Sequence, residues 1–289
     1  VYKRQHLAHE LGGEIISADS RQVYRGMDLG TGKDYEDYLV DGRRVPFHLI
    51  DILDAGYEYN VYLFKRDFLR VFTDISERGS MPVLCGGTGL YIESVLRNYR
   101  LLNVPPDEAL RMELEIKDNK ELVAMLKLHG PLHNITDTVH RKRLIRAIEI
   151  ARYQSAEPPD EGEERELKTL VLGIRFNRET RRERITLRLR ERMEAGMVEE
   201  VQGLLKAGVT ADKLDYYGLE YRYVCKYILK ELSYKDMLAG LNTAIHQFAK
   251  RQMTYFRGME RRGIKIHWLD GQSSMEEKIE QAKALFQAT

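Results

Sequence analysis

The chain alternates short apolar runs with longer amphipathic stretches. Glu14 to Ala18 is an apolar run closed by the polar pair Asp19-Ser20, which predicts a strand ending in a turn. Residues 60–79 predict an amphipathic helix. Asn60 can cap it, Val61, Phe64, Phe68, Val71, Phe72 and Ile75 form one apolar stripe, and Gly79 ends it. Pro82 then opens a predicted buried strand, Val83-Leu84-Cys85, which runs into Gly86-Gly87-Thr88-Gly89 and a helix from Leu90 to about Asn98. Strand, glycine turn and helix in that order form the repeating unit of a parallel α/β sheet.

Beyond Pro105-Pro106, helical patterns run to about Tyr153, and Ser155 to Glu166 reads as a polar, proline-containing loop. Thr169 to Phe176 predicts a second buried strand. Residues 178–207 read as helical, 211–245 as helical with breaks around Gly218, and 235–261 as one long helix. Ile264 to Leu269 predicts a late strand, and 275–288 a closing helix. The sum is an α/β core with parallel strands and more helix between about 180 and 245 than one βαβ layer requires. The expected division is a core of 1–104, 138–180 and 246–289, with a helical lobe over 181–245.

Composition narrows the class. Hydrophobic residues make up 43% and charged residues 31%, the balance of a soluble globular protein rather than a disordered one. No apolar run approaches the ~20 residues of a membrane span, and no secretory signal pattern opens the chain. Cys85 and Cys225 are too few for a disulfide framework or a metal cluster, so a reducing cytoplasm is the default compartment. The net charge of +1 names no partner, but its distribution is uneven. Basic residues concentrate in 141–152, in 175–192 (eight arginines against three glutamates) and in 250–265. Any one cluster is explained by a solvated helix face with i,i+4 ion pairs. Three in a near-neutral chain suggest a polyanionic partner.

Several residues could carry chemistry. Asp19 lies just past the carboxyl end of the first strand, where open α/β sheets bind ligands, and a carboxylate there can act as a general base or simply cap a turn. The turn Gly86–Gly89 precedes a helix N-terminus, which favours an anion or hydroxyl contact; plain turn geometry explains it equally well. Arg181, Arg184, Arg188 and Arg192 recur at helical spacing beside the apolar Ile185, Leu189 and Met193, a row suited to clamping phosphate. Lys250, Thr254, Arg257 and Arg261 share a second helix face, opposite Ile245, Phe248, Phe256 and Met259, which are expected to face the core. That basic row suits contacts to a nucleic-acid backbone. Tyr255 and Phe256 read as core or rim rather than as base-stacking platforms. No G-x-x-x-x-G-K-[ST] loop occurs in the sequence.

With these residues in view, Leu11 to Lys33 (LGGEIISADSRQVYRGMDLGTGK) resembles the segment that follows the phosphate-binding loop in tRNA dimethylallyltransferases. The same holds for PVLCGGTGLY (82–91), RKRLIRAIEI (141–150), RERITLRLRERM (182–193) and AKRQMTYFRG (249–258), in family order. The resemblance implies a P-loop NTPase-like parallel sheet core with a helical insertion lobe that grips tRNA. It implies transfer of a dimethylallyl group from dimethylallyl diphosphate to N6 of the adenosine 3′ of the anticodon, with Mg²⁺ assisting departure of the diphosphate.

Carried over by motif, Asp19 would be the base, Thr88 a contact near the reacting nucleotide, and Arg188 the stabiliser of the leaving diphosphate. Asp19, Ser20, Arg21 and Gln22 would line the adenosine entry, with Arg111 and Arg222 as further tRNA contacts. Lys142, Arg143, Leu144, Ile145 and Arg146, then Lys250, Arg251, Gln252, Met253, Thr254, Tyr255, Phe256 and Arg257, would hold the anticodon stem-loop. The family acts as a monomer, without a membrane. Two rivals remain at this point: a tRNA-binding protein without catalysis, and a small-molecule nucleotide kinase on the same fold.

The sequence departs from the family in two places. Glu220, before Tyr221 and Arg222, stands where a glycine is common. The stretch Val1–Gln5 stands where family sequence with a phosphate-binding loop is expected, which implies a junction and an impaired enzyme. Sequencing the gene upstream of the His6 codon is expected to find G-x-x-x-x-G-K-[ST] in frame. A stop codon or unrelated sequence there would give the lead to tRNA binding without catalysis.

Overall fold

The computed structural model describes residues 3–130, 140–156 and 167–288. The chain divides into two compact units, one of 1–97 with 167–289 and the other of 98–166. These units fall differently from the expected division. The stretch 98–166 stands by itself, and the helices over 181–245 belong to the unit that contains the sheet.

In the first unit, α1 (Lys3–Glu10) leads into β1 (Gly13–Ser17). Residues 3–5, set apart from the family pattern above, are built into α1, and Gln5 is buried. A small antiparallel hairpin, β2 (Leu39–Val40) with β3 (Arg43–Arg44), precedes β4 (Phe47–His48). Then come α2 (Val61–Glu77), β5 (Met81–Cys85) and α3 (Gly89–Leu96). β1 lies at the centre of a parallel sheet ordered β4-β1-β5, with Ile15 opposite both Phe47 and Val83, and Ser17 opposite Cys85.

The period of two along β1 divides its side chains between two cores. Ile16 joins the large cluster formed with α2, α3 and the later helices, whereas Ile15 packs with Ala8, Tyr38, Val40, Val45 and Ile50. Both faces are covered, so the whole strand is buried. β5 was expected to be buried but is half-buried throughout, and among the described residues only one of its edges is paired, with β1. α2 matches its stripe: the Asn60 side chain accepts from the Leu63 amide, and Phe64, Phe68, Val71 and Ile75 are buried.

The remaining elements of this unit are mostly helical. β6 (Leu172–Arg175) is shorter and more exposed than the buried strand expected over 169–176. Among the described residues it pairs only with β7 (His267–Asp270), in parallel. The helical stretch expected over 178–207 is two helices, α7 (Arg178–Glu194) and α8 (Met197–Lys206). Gly196 breaks them apart with φ +103°, a conformation that side chains with a Cβ disfavour. α9 (Ala211–Tyr217) and α10 (Leu219–Ile228) meet at Gly218 as expected. α11 (Tyr234–Arg261) is the long helix, and α12 (Met275–Gln287) closes the unit behind a Ser274/Glu277 capping box.

The second unit contains α4 (Glu108–Glu115), α5 (Asn119–Leu128) and α6 (Arg141–Ala156) around Leu110, Leu114, Leu122, Leu144, Ile145 and Ile148. Ser155 and Ala156 of the expected polar loop continue α6, and the rest of that loop lies outside the described residues. Glu149 is buried and accepts from the Asp107 amide, from Arg111 Nε at 2.8 Å and from Arg146 Nη1 at 2.9 Å. Desolvation would raise its pKa, but these donors outweigh it and hold the carboxyl below its ordinary value.

A carboxylate depressed on folding adds stability that is present above the unfolded pKa and lost as pH falls through the folded one. Glu149→Gln is therefore expected to weaken this unit by about 2 kcal/mol at neutral pH, because it leaves two guanidiniums short of their acceptor. Hydrogen exchange of the α4 and α6 amides reads this. The difference from wild type should close at acid pH; a constant difference down to pH 2 would contradict the ion-pair account.

Candidate active site and nucleic-acid interface

The carboxyl ends of β1 and β5 lie side by side, and the chemistry-bearing residues follow from that. The Ala18 amide donates to the Cys85 carbonyl, and the Thr88 amide donates to the Ala18 carbonyl. Asp19 Oδ1 accepts from the Arg21 amide at 2.8 Å and the Gln22 amide at 3.4 Å, so the carboxylate caps the turn it opens. Its other oxygen accepts no hydrogen bond among the described residues. Thr88 Oγ1 accepts from the Ser20 amide at 3.1 Å and lies 3.3 Å from Ser20 Oγ. Asp19, Ser20 and Thr88 therefore form one polar group across two strand ends.

The glycines of the second turn are needed for packing. A Cβ on Gly86 would run into the Ala18 backbone. One on Gly87 would meet Gln252 Nε2, and one on Gly89 the Tyr255 ring. This close approach seats α11 on the turn and on α3: Gln252 Nε2 donates to the Gly87 carbonyl at 2.8 Å, and Tyr255 donates to Glu93 at 2.6 Å. Glu93 also binds Arg262 through both oxygens, at 2.6 and 2.9 Å. The side chains of Gln252 and Tyr255 thus face the turn and α3, while Lys250, Arg251, Thr254, Arg257 and Arg261 are exposed. Met253 and Phe256 are half-buried between these faces. Phe248, expected in the core, is half exposed, and the Arg251 guanidinium lies over its ring. It sits where the helix face turns outward, and the guanidinium covers part of its apolar surface.

The loop after the Asp19 turn carries the third part of the site. Gln22 is buried: its amide group donates to the Gly32 carbonyl at 3.1 Å, and its oxygen accepts from Ser17 Oγ. Glu200 of α8 accepts from the amides of Asp28, Leu29 and Gly30 at 3.0, 2.7 and 3.2 Å, and from the Tyr221 hydroxyl at 2.7 Å. Gly30 packs on the Tyr221 ring. Gly32, with φ +70°, packs on the guanidiniums of Arg188 and Arg192. Arg188 Nη2 also reaches Asp34 at 3.2 Å.

The arginine row on α7 is graded. Arg184 stacks over Phe176 near the surface, Arg188 is half exposed beside Asp34, and Arg192 Nη2 is buried. Glu220, at the start of α10, interacts with Arg192, Arg188 and Asp19. Burial pushes its carboxyl up against the pull of the two arginines.

Other expected contacts are placed as follows. Arg21 lies over the Tyr216 ring at 4.7 Å, and Arg222 pairs with Asp215. In the second unit, Arg111 and Arg146 are bound to Glu149, Leu144 and Ile145 are core residues, and Lys142 and Arg143 are exposed. Sequence reasoning did not single out Glu93 or Glu200. Each is an acid on a short helix, Glu93 alone and Glu200 next to Glu199, and either pattern reads as a solvated face.

The core is P-loop NTPase-like, with the Asp19 carboxylate at the strand ends, and the class of enzyme follows from the relatives that share it. The chain belongs to the IPP transferase family, a family of prenyl-transferring enzymes, whose model matches residues 22–259. It is 57% identical over 273 residues to a tRNA dimethylallyltransferase 2 of Bacteroides fragilis, covering 94% of this chain and 89% of that protein. It is 53% identical over 282 residues to a tRNA dimethylallyltransferase 1 of Porphyromonas gingivalis, covering 98% and 93%. Among solved structures, a tRNA delta(2)-isopentenylpyrophosphate transferase from Staphylococcus epidermidis superposes with a TM-score of 0.70 at 30% identity, over 99% of this chain and 94% of that one. A eukaryotic dimethylallyltransferase acting on tRNA shares the fold, with a TM-score of 0.74 at 18% identity.

Replacing Glu200 by Gln removes charge from an acceptor of three amides and is expected to loosen the 28–30 loop by about 1–3 kcal/mol. Amide exchange of Asp28, Leu29 and Gly30 should accelerate while α2 keeps its protection. Unchanged protection of the three amides would mean that something else holds the loop.

Proposed function

We propose that this protein transfers a dimethylallyl group from dimethylallyl diphosphate to the exocyclic N6 of the adenosine 3′ of the anticodon in tRNAs. The observation that carries the reading is the Asp19 carboxylate, held by its own turn with one oxygen uncommitted, within electrostatic reach of a group that also feels Arg188 and Arg192. The bond from N6 to the donor's first carbon forms as that carbon's bond to the diphosphate oxygen breaks. The N6 proton passes to Asp19, and the departing diphosphate keeps the electron pair beside Arg188. Thr88, bonded to Ser20, fixes the floor on which the base is oriented.

An adenosine in a stem-loop must leave its stack to reach this floor. The exposed row Lys250, Arg251, Thr254 and Arg257 offers backbone contacts for the anticodon stem-loop, Lys142 and Arg143 offer more on the second unit, and Arg21 on Tyr216 borders the entry. We assign the tRNA grip to the helices over 181–245 together with α11. Gln22 and Gln252 act in this reading by holding the turns that the RNA meets. Among the described residues no group of three or more His, Cys, Asp or Glu could hold a metal ion, so a resident cage for Mg²⁺ does not fit. A Mg²⁺ carried by the diphosphate needs few protein ligands, and no step here is routed through it. No helix among the described residues is long and apolar enough to cross a membrane.

Asp19→Asn keeps the turn acceptor and removes the base. Prenylated tRNA formed per unit time is expected to fall by about 10²-fold or more while tRNA affinity is retained. Wild-type protein that binds tRNA and forms no product would favour the reading without catalysis. Saturable binding of a free nucleotide without tRNA binding would favour a kinase.

A further inference from the structure

Arg192 Nη2 is buried and has no hydrogen-bond partner among the described residues. A charged donor left in that state costs stability that a folded protein does not give up without a reason. The group is also not isolated. The Nη2 atoms of Arg188 and Arg192 both lie within contact distance of the single point where a Cβ on Gly32 would sit, so the two guanidiniums are neighbours. Burial, with the like charge of Arg188 adding to it, holds the Arg192 guanidinium below its ordinary pKa. Glu220 and Asp34 offset part of this charge, yet neither makes a hydrogen bond to Arg192.

Gly32 carries no side chain, which leaves the two cationic ends facing one backbone patch. That patch is fixed by Gln22 on one side and by the Glu200 staple on the other. A preset pair of guanidiniums, one with a donor unspent, matches an anion with several charged oxygens.

We propose that Arg192 is a second diphosphate-binding residue, which closes on the leaving diphosphate together with Arg188. This rests on the prenyl-transfer reading above and adds a residue to it. On α7 the two arginines are one turn apart, so a diphosphate can engage one with each phosphoryl group. The unspent Nη2 donor finds its acceptor only when the anion is present, which makes that hydrogen bond fully favourable on binding. Glu220 offsets part of the charge of Arg192 without a hydrogen bond to it.

The test uses the 289-residue chain, inorganic pyrophosphate and titration calorimetry, with thermal unfolding alongside. Arg192→Met keeps length and volume while removing the charge. It is expected to leave stability unchanged or higher and to weaken pyrophosphate binding by about 10–100-fold. Arg192→Lys should fall between this variant and wild type. Unchanged pyrophosphate affinity in Arg192→Met, with affinity lost in Arg188→Ala, would overturn this inference and leave the prenyl-transfer reading standing; lower stability with unchanged affinity would mark Arg192 as a strut for Gly32. A wild-type chain that takes up no pyrophosphate would overturn the inference and the role given to Arg188 together.

Discussion

The geometry of this site depends on one carboxylate. Glu200 gathers three consecutive amides of the 28–30 loop and the Tyr221 hydroxyl, which ties α8, α10 and the loop after β1 at one point. Bonds to an ionised acceptor are stronger than neutral ones, and here several converge. The next residues inherit their position from it. Lys33 is buried among Asp28, Asp51 and the Tyr24 carbonyl, and Tyr35 adds a second bond to Asp51. The loop is therefore clamped at both ends, and Gly32 between the clamps sets where the α7 arginines can rest.

A second chain of contacts reaches the same loop from the sheet. Ser17, the last residue of β1, donates to Gln22, and Gln22 donates to Gly32. The turn that presents Asp19 and the loop that seats Arg188 are thus joined by a single buried glutamine. In the proposed reaction the distance between Asp19 and Arg188 would matter to rate, because small misplacements forfeit the gain from orientation. Here that distance is built from hydrogen bonds between neighbours in sequence, with α8 and α10 as the outer support.

Much of this fold could be read in the sequence, and the reasons for the failures are specific. β1, α2 and the Gly218 break follow from periodicity and from residues whose backbone preferences are strong. β5 and β6 were read as buried because their apolar runs resemble central strands; whether a strand has one neighbour or two is set by topology, which a run of five residues does not encode. Gln22 and Gln252 are polar residues inside motifs, and their type suits an RNA edge as well as a backbone carbonyl. Only the folded chain shows that both turn inward. Glu93 and Glu200 were hidden for the converse reason, since an acid on a short helix has the pattern of a solvated one.

The arginine row on α7 shows how a correct pattern can still leave function open. Spacing places Arg184, Arg188 and Arg192 on one face, and it says nothing about depth. Folded, the row runs from a stacked surface arginine, through a half-exposed pair with Asp34, to one whose Nη2 is buried with its donor unspent. Coulomb energy grows as water is excluded, so equal charges along that row are unequal in effect. The solvated end suits contacts that must be made and released with each large substrate, where salt screens them. The buried end suits charge that appears only as a bond breaks, because there an arginine already in place meets the new charge without reorganising.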